Sequence, residues 1–221
     1  MSEMSDIAIA SQARESELFA KLAQDLCEQG YSVQLNAVDL TLCEQLFHCV
    51  HDLTPEKFTP AGIGREQQNM HNRFVRNDTI CWIDGVSEAG ADWLGFAERL
   101  RQFLNQQLFL GLFSFETHFA HYSPGDFYRK HRDAFKGEAN RVLSVVLYLN
   151  PGWQSSDGGE LVIYNDDNKE LQKVLPSFAT LVVFLSEEFP HEVLAAQRDR
   201  YSVTGWFRLN ASSADKIDPP R

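Results

Sequence analysis

Three things are scarce in this chain of 221 residues, and each scarcity removes a class of function. Cysteine is the first. The four present, Cys27, Cys43, Cys49 and Cys81, form no Cys-x-x-Cys pair and all fall in the N-terminal part. A zinc ribbon or a disulfide framework needs paired, regularly spaced cysteines, so reduced thiols are expected. Positive charge is the second: 20 Lys and Arg against 31 Asp and Glu leave a net charge of −11. Binding a phosphate backbone requires a concentrated basic surface, which excludes nucleic acid as the main partner while leaving room for a basic protein. Long apolar runs are the third. A membrane helix needs about 20 apolar residues, and stretches such as 181–185 are strand-sized. The first residues, Met1 to Gln12, hold Ile-Ala-Ile-Ala but no basic start, so no secretory signal is read and a cytoplasmic location is expected. Dinucleotide, P-loop and nucleophile-elbow motifs are absent too, as are repeats and low-complexity tracts.

What is present suits one domain with a sizeable core, since 43% of the residues are hydrophobic. The expected division is a flexible N-terminus over 1–12, a single domain over 13–210 and a flexible tail over 211–221; helical support fills 13–110 and a barrel core 111–210. Leu18, Phe19, Leu22, Ala23 and Leu26 recur at helical spacing between Glu15 and Glu28, with Gly30 as a stop. Asp39 precedes a second helical pattern, in which His48 and His51 read as packing residues, and a third runs from Ala91 to Leu110. Tyr31 to Leu35 and Thr79 to Ile83 read as strands. The polar segment Phe58 to Asn77 between these elements reads as an exposed loop or long hairpin, with His71 in solvent. After Gly111 short strand candidates recur with turns such as Ser-Pro-Gly-Asp126 between them, which predicts a sandwich or jelly-roll barrel in an α+β, mainly β protein.

The chemistry gathers around the stretch from His121 to Asp133. Side chains at i and i+2 of a strand share a face, so His131 and Asp133 can present a nitrogen and an oxygen to one metal ion. A 2-His-1-carboxylate face with open positions marks non-haem Fe(II) oxygenases, and His191 is the candidate third ligand. The open positions would take oxygen and a chelating co-substrate. If that chelator is a dicarboxylate, a buried guanidinium is the efficient anchor for its far end, and Arg200 opens the last strand nine positions after His191. Alternation puts Ser144, Val146 and Tyr148 on one strand face, where the two hydroxyls can complete a carboxylate site; Thr204 shares Arg200's face and could add a donor. His121 should face away from the pocket.

Several ordered motifs then agree with one family. They are His121-Tyr-x-x-Gly-x-x-Tyr-x-x-His-x-Asp133, Leu147-Tyr-Leu-Asn150 with Trp153, Gly158-Gly-Glu-Leu161, His191-Glu-Val193 and Arg200-Tyr-Ser-Val-Thr-Gly-Trp206. Together with Val75-Arg-Asn-Asp-Thr-Ile-Cys-Trp82, they resemble the Fe(II)/2-oxoglutarate-dependent prolyl hydroxylases of the hypoxia-inducible-factor type and their bacterial relatives, over about Val75 to Leu209. The resemblance implies a double-stranded β-helix (jelly-roll, cupin-like) barrel, with Fe(II), 2-oxoglutarate and O2 as cofactor and co-substrates and ascorbate in support. It implies that His131, Asp133 and His191 hold the metal and that Arg200 binds the distal carboxylate, helped by Tyr148. Tyr122 would line the pocket near the co-substrate, Leu161, Val193 and Trp206 would form its walls, and Arg76, Asp78, Tyr128 and Arg141 would meet substrate. His118, on the face of Ala120 and Tyr122, departs from the apolar residue expected there. The implied reaction is hydroxylation of a prolyl residue in an intracellular protein, with a translation factor as a possible target. Two other readings stand beside it: hydroxylation of a free amino acid or small metabolite, and a non-catalytic cupin-like module that senses metal or 2-oxoglutarate.

Overall fold

A computed structural model of the chain describes residues 2–62, 75–134 and 140–210, with side chains from residue 10 onward. His71 and the expected tail over 211–221 lie outside the described residues, as does most of the 58–77 loop. What is described of that loop shows a hairpin arm: β2 (Thr59–Pro60) pairs antiparallel with β3 (Thr79–Trp82).

Three helices precede the barrel. Helix α1 (Ser2–Gln29) begins well before the expected Glu15, because no glycine or proline interrupts the sequence before Gly30 and polar helix formers can continue the spiral without an apolar stripe. Arg99 grips Glu15 with two bonds of 2.7 and 2.8 Å, tying α1 to α3 (Glu88–Leu108). Asp39 caps α2 (Leu40–Asp52) by accepting from the amides of Thr41 and Leu42, and Ser87 caps α3 through Gly90 N–H. Among the described residues, no helix is long and apolar enough to cross a membrane.

The remaining strands are β1 (Tyr31–Gln34), β4 (Ser114–Tyr122), β5 (Tyr128–His131), β6 (Arg141–Tyr148), β7 (Leu161–Tyr164), β8 (Glu170–Val174), β9 (Leu181–Leu185), β10 (His191–Val193) and β11 (Arg200–Arg208). They form two antiparallel sheets, ordered β1-β9-β6-β11-β4-β3-β2 and β5-β10-β7-β8, which is the jelly-roll of a double-stranded β-helix. Strand alternation divides the interior in two. Leu143, Val145, Leu147 and Leu149 of β6 and its end join the three helices in the larger core, while Val146 and Tyr148 face the small sheet with Leu161, Ile163 and Val193. The helices cover one face of the large sheet, and its other face is left to line a cavity against the small sheet.

Candidate active site

His131 ends β5, and His191 opens β10 directly opposite it in the antiparallel register. The two imidazoles are therefore cross-strand neighbours. Asp133 is not on the strand: β5 stops at His131, and the carboxylate returns on the bend that follows. Strand alternation thus does not align the His131–Asp133 pair, contrary to expectation; a turn and a serine do. Ser144 of β6 donates to Asp133 Oδ2 at 2.6 Å and is itself 2.8 Å from Ser186 Oγ. This also corrects the expected role of Ser144. Four positions from Tyr148 on an extended strand, it sits about 13 Å along the chain from the carboxylate anchor and supports the ligand cluster instead.

His131 Nε2 lies 3.4 Å from Asp133 Oδ1 and His191 Nε2 lies 3.6 Å from Oδ2. One ligand atom from each residue falls within 4.8 Å of the others, the only such trio among the described residues. Each imidazole is oriented from behind: His131 Nδ1 sits 2.8 Å from Arg129 C=O, and His191 Nδ1 3.0 Å from Phe189 C=O. A carbonyl there fixes the tautomer with hydrogen on Nδ1 and leaves the Nε2 lone pair for a metal. Burial and then the neighbouring His131 push the His191 pKa down to about 4, so this imidazole stays neutral. Burial opposes the charge on Asp133, but His191 and His131 outweigh it and hold the carboxyl well below its usual range. Two imidazole nitrogens and one carboxylate oxygen on one side of an open cavity are a donor set that fits Fe(II).

Arg200 lies at the other end of the cavity, only 2% exposed. Its Nε donates to Gly159 C=O at 2.9 Å, and its guanidinium lies 4.8 and 5.0 Å from the ring centres of Tyr122 and Tyr148. No carboxylate among the described residues pairs with it. Tyr148 Oη is also buried without a hydrogen-bond partner. A buried cation without a counterion beside an orphaned hydroxyl is costly unless an anion completes it, and a carboxylate fits both. Gly159 is more than the hairpin residue its sequence suggests. At φ +69°, its position leaves room for Arg200, whose Cδ would lie 3.0 Å from any Cβ placed there.

The space between these ends, counted together with its open mouth, amounts to about 510 Å³. Tyr122, Tyr128, Leu161, Val193, Thr204 and Trp206 line it as expected, with Arg76 and Asp78 at its side. Arg76 and Asp78 are closed on each other, Nε to Oδ1 at 2.7 Å, and Arg76 stacks on Tyr128. Burial works against the Arg76 charge, yet Asp78 raises its pKa. Arg141 does not reach the cavity wall; it lies 3.6 Å over Trp206 and binds Glu116. His118 lines the cavity, and burial, then Arg76 and Arg141, lower its pKa to about 3. His121 faces outward, bonded to Asp199 at 2.8 Å, while His51 packs on Phe47 and Tyr201. Phe184 is a wall that the sequence did not single out.

The family model of the 2OG-Fe(II) oxygenase superfamily matches residues 117–208, the span that carries all three ligand candidates and Arg200. A crystal structure of a Pseudomonas putida prolyl-4-hydroxylase is 43% identical with a TM-score of 0.79, covering 88% of this chain and 100% of that one. The chain belongs to the prolyl hydroxylase family of 2OG-Fe(II) oxygenases. Two further relatives are less similar. One from Trichoplax adhaerens, solved with a hypoxia-inducible-factor oxygen degradation domain peptide, is 28% identical with a TM-score of 0.76, covering 89% and 91% of the two chains. Human Egl nine homolog 1 is 27% identical over 150 residues, 64% of this chain and 35% of that protein. The chain thus spans about a third of the length of that curated relative. The family uses Fe(II), 2-oxoglutarate and O2.

Proposed function

We propose that this protein hydroxylates a prolyl residue of another protein in the cytoplasm, with His131, Asp133 and His191 holding Fe(II) and Arg200 holding 2-oxoglutarate. The observation that carries the reading is the pairing of a three-ligand face with a buried, counterion-free arginine across one cavity. When bound, the iron and 2-oxoglutarate supply oxidation of a substrate carbon, with succinate and carbon dioxide released. The chain's own groups do the rest. Arg200 and Tyr148 Oη clamp the distal carboxylate, and Tyr122 packs beside it. Leu161, Val193, Val146 and Trp206 exclude water from the reacting carbon, and Thr204 offers a hydroxyl on the same wall. Ser144 and the carbonyls of Arg129 and Phe189 keep the ligand atoms aimed during turnover.

The Trichoplax enzyme was solved with a peptide, which favours a protein substrate over a free amino acid. Arg76, stacked on Tyr128 at the side of the cavity, offers a charged and an aromatic contact for such a segment. A translation factor is the target class proposed. Comparative mass spectrometry of the host proteome tests the reading. A prolyl residue should lack one oxygen atom in a His131→Ala strain and carry it in the wild type, and an unchanged proteome would favour a small-molecule substrate.

A further inference from the structure

A line of aromatic rings leaves the cavity beside the ligand cluster and ends in solvent. Trp206 lines the cavity and pairs in register with Ser144, the residue that holds Asp133. Its ring centre lies 5.4 Å from His118, and His118 lies 5.2 Å from Trp82. Trp206 is 7% exposed and Trp82 51%. All three lie on the inner face of the large sheet, with Trp82 opposite His118 in the β3–β4 register.

The two ends differ in how well they can hold a positive hole. Arg141 stacks its cation 3.6 Å over Trp206, which makes that indole harder to oxidise, and no cation among the described residues stacks on Trp82. Trp206 Nε1 is buried with no acceptor for its proton, whereas half-exposed Trp82 can release its proton to water. His118 between them is neutral at physiological pH, so it adds no charge that would oppose the transfer. Each difference drives a hole outward.

We propose that Trp206, His118 and Trp82 form an electron relay that returns an oxidised iron site to Fe(II) when turnover finds no substrate; this rests on the metal site proposed above. Trp206 gives one electron to the oxidised centre and is refilled from Trp82 through the His118 ring. Trp82 loses its Nε1 proton to water and is left a neutral indolyl radical. A soluble one-electron reductant of the ascorbate class restores the indole with an electron and a proton. Two such passes, with two solvent protons at the centre, release the unused oxygen atom as water.

The test uses the iron-loaded protein with 2-oxoglutarate and air, without protein substrate or reductant and with catalase present, followed by peptide mapping of tryptophan oxidation. The relay predicts oxygen addition concentrated on Trp82, suppressed severalfold by ascorbate. Trp82→Phe should move the damage to Trp206 and shorten the active life of the enzyme. His118→Leu should lower oxidation at Trp82 severalfold. Anaerobic addition of 2-oxoglutarate to the Fe(II) protein, read as a new visible absorption band, separates the two claims. No band overturns the metal-site reading and the relay with it. A band with Trp82 left intact, or with oxidation at Trp82 unchanged by His118→Leu, overturns the relay alone.

Discussion

Replacing Arg200 with methionine separates the cost of burying this cation from the benefit of its ligand. In the absence of 2-oxoglutarate, Arg200 is buried and, among the described residues, has one hydrogen bond, to Gly159 C=O, and no counterion. Removing the charge relieves a desolvation cost of several kcal/mol but leaves that carbonyl unpaired, at about 1–3 kcal/mol. The two effects oppose each other, so the ligand-free protein should unfold within about 1–2 kcal/mol of the wild type. Binding of 2-oxoglutarate should respond very differently. Truncating one partner of a buried, hydrogen-bonded charge pair costs about 2–5 kcal/mol, which is roughly 30-fold to several-thousand-fold in Kd. Isothermal calorimetry with Mn(II) as a redox-silent metal, paired with urea melts of the ligand-free protein, measures both. Near wild-type 2-oxoglutarate affinity in Arg200→Met, or a ligand-free protein destabilised by much more than the lost bond, would refute the assignment of Arg200 as the dicarboxylate anchor.

Ser144→Ala removes the hydroxyl that holds Asp133, and supporting bonds of this type are typically worth about 10–100-fold in metal affinity, readable by competition with a chelating dye. Gly159→Ala puts a methyl against Arg200 Cδ at a strained φ of +69°, so 2-oxoglutarate affinity should drop at least about tenfold while metal affinity holds. The metal-free protein should lose stability as pH falls. His118 and His191 titrate near 3 and 4 in the fold and near 6.5 when unfolded, so the unfolded chain binds more protons between these values. The loss, absent above about pH 7, should reach a few kcal/mol by about pH 4 in urea melts. His118→Leu, which keeps the ring's volume without titrating, should flatten part of that slope; a slope of the opposite sign would refute both assignments.

Much of the site could be read along the chain because its parts are short, ordered motifs in a strand-rich context. His131, His191 and Arg200 each sit at a strand end that alternation and turn residues mark well, and Tyr148 and Val146 fell on the inner face for the same reason. Other features depend on tertiary contacts that no local period encodes. Asp133 reaches the cluster from a bend, which the alternation of a strand does not describe. Ser144 shares a face with Tyr148, but alternation cannot tell which end of that face meets the arginine and which the aspartate. Gly159 carries no local sign of its role, because its partner, Arg200, lies 41 positions away. The early start of α1 was missed because a polar helix without an apolar stripe leaves no periodic signal.

The most direct measurement of the central claim is isotope transfer. Lysate from a host strain carrying His131→Ala is incubated with the purified wild-type protein, Fe(II), 2-oxoglutarate and heavy-isotope oxygen gas, and its proteins are mapped by mass spectrometry. The account predicts one heavy oxygen on a prolyl residue of a host protein, with an equal amount of labelled succinate. Succinate formation with no labelled prolyl residue in any protein would contradict it.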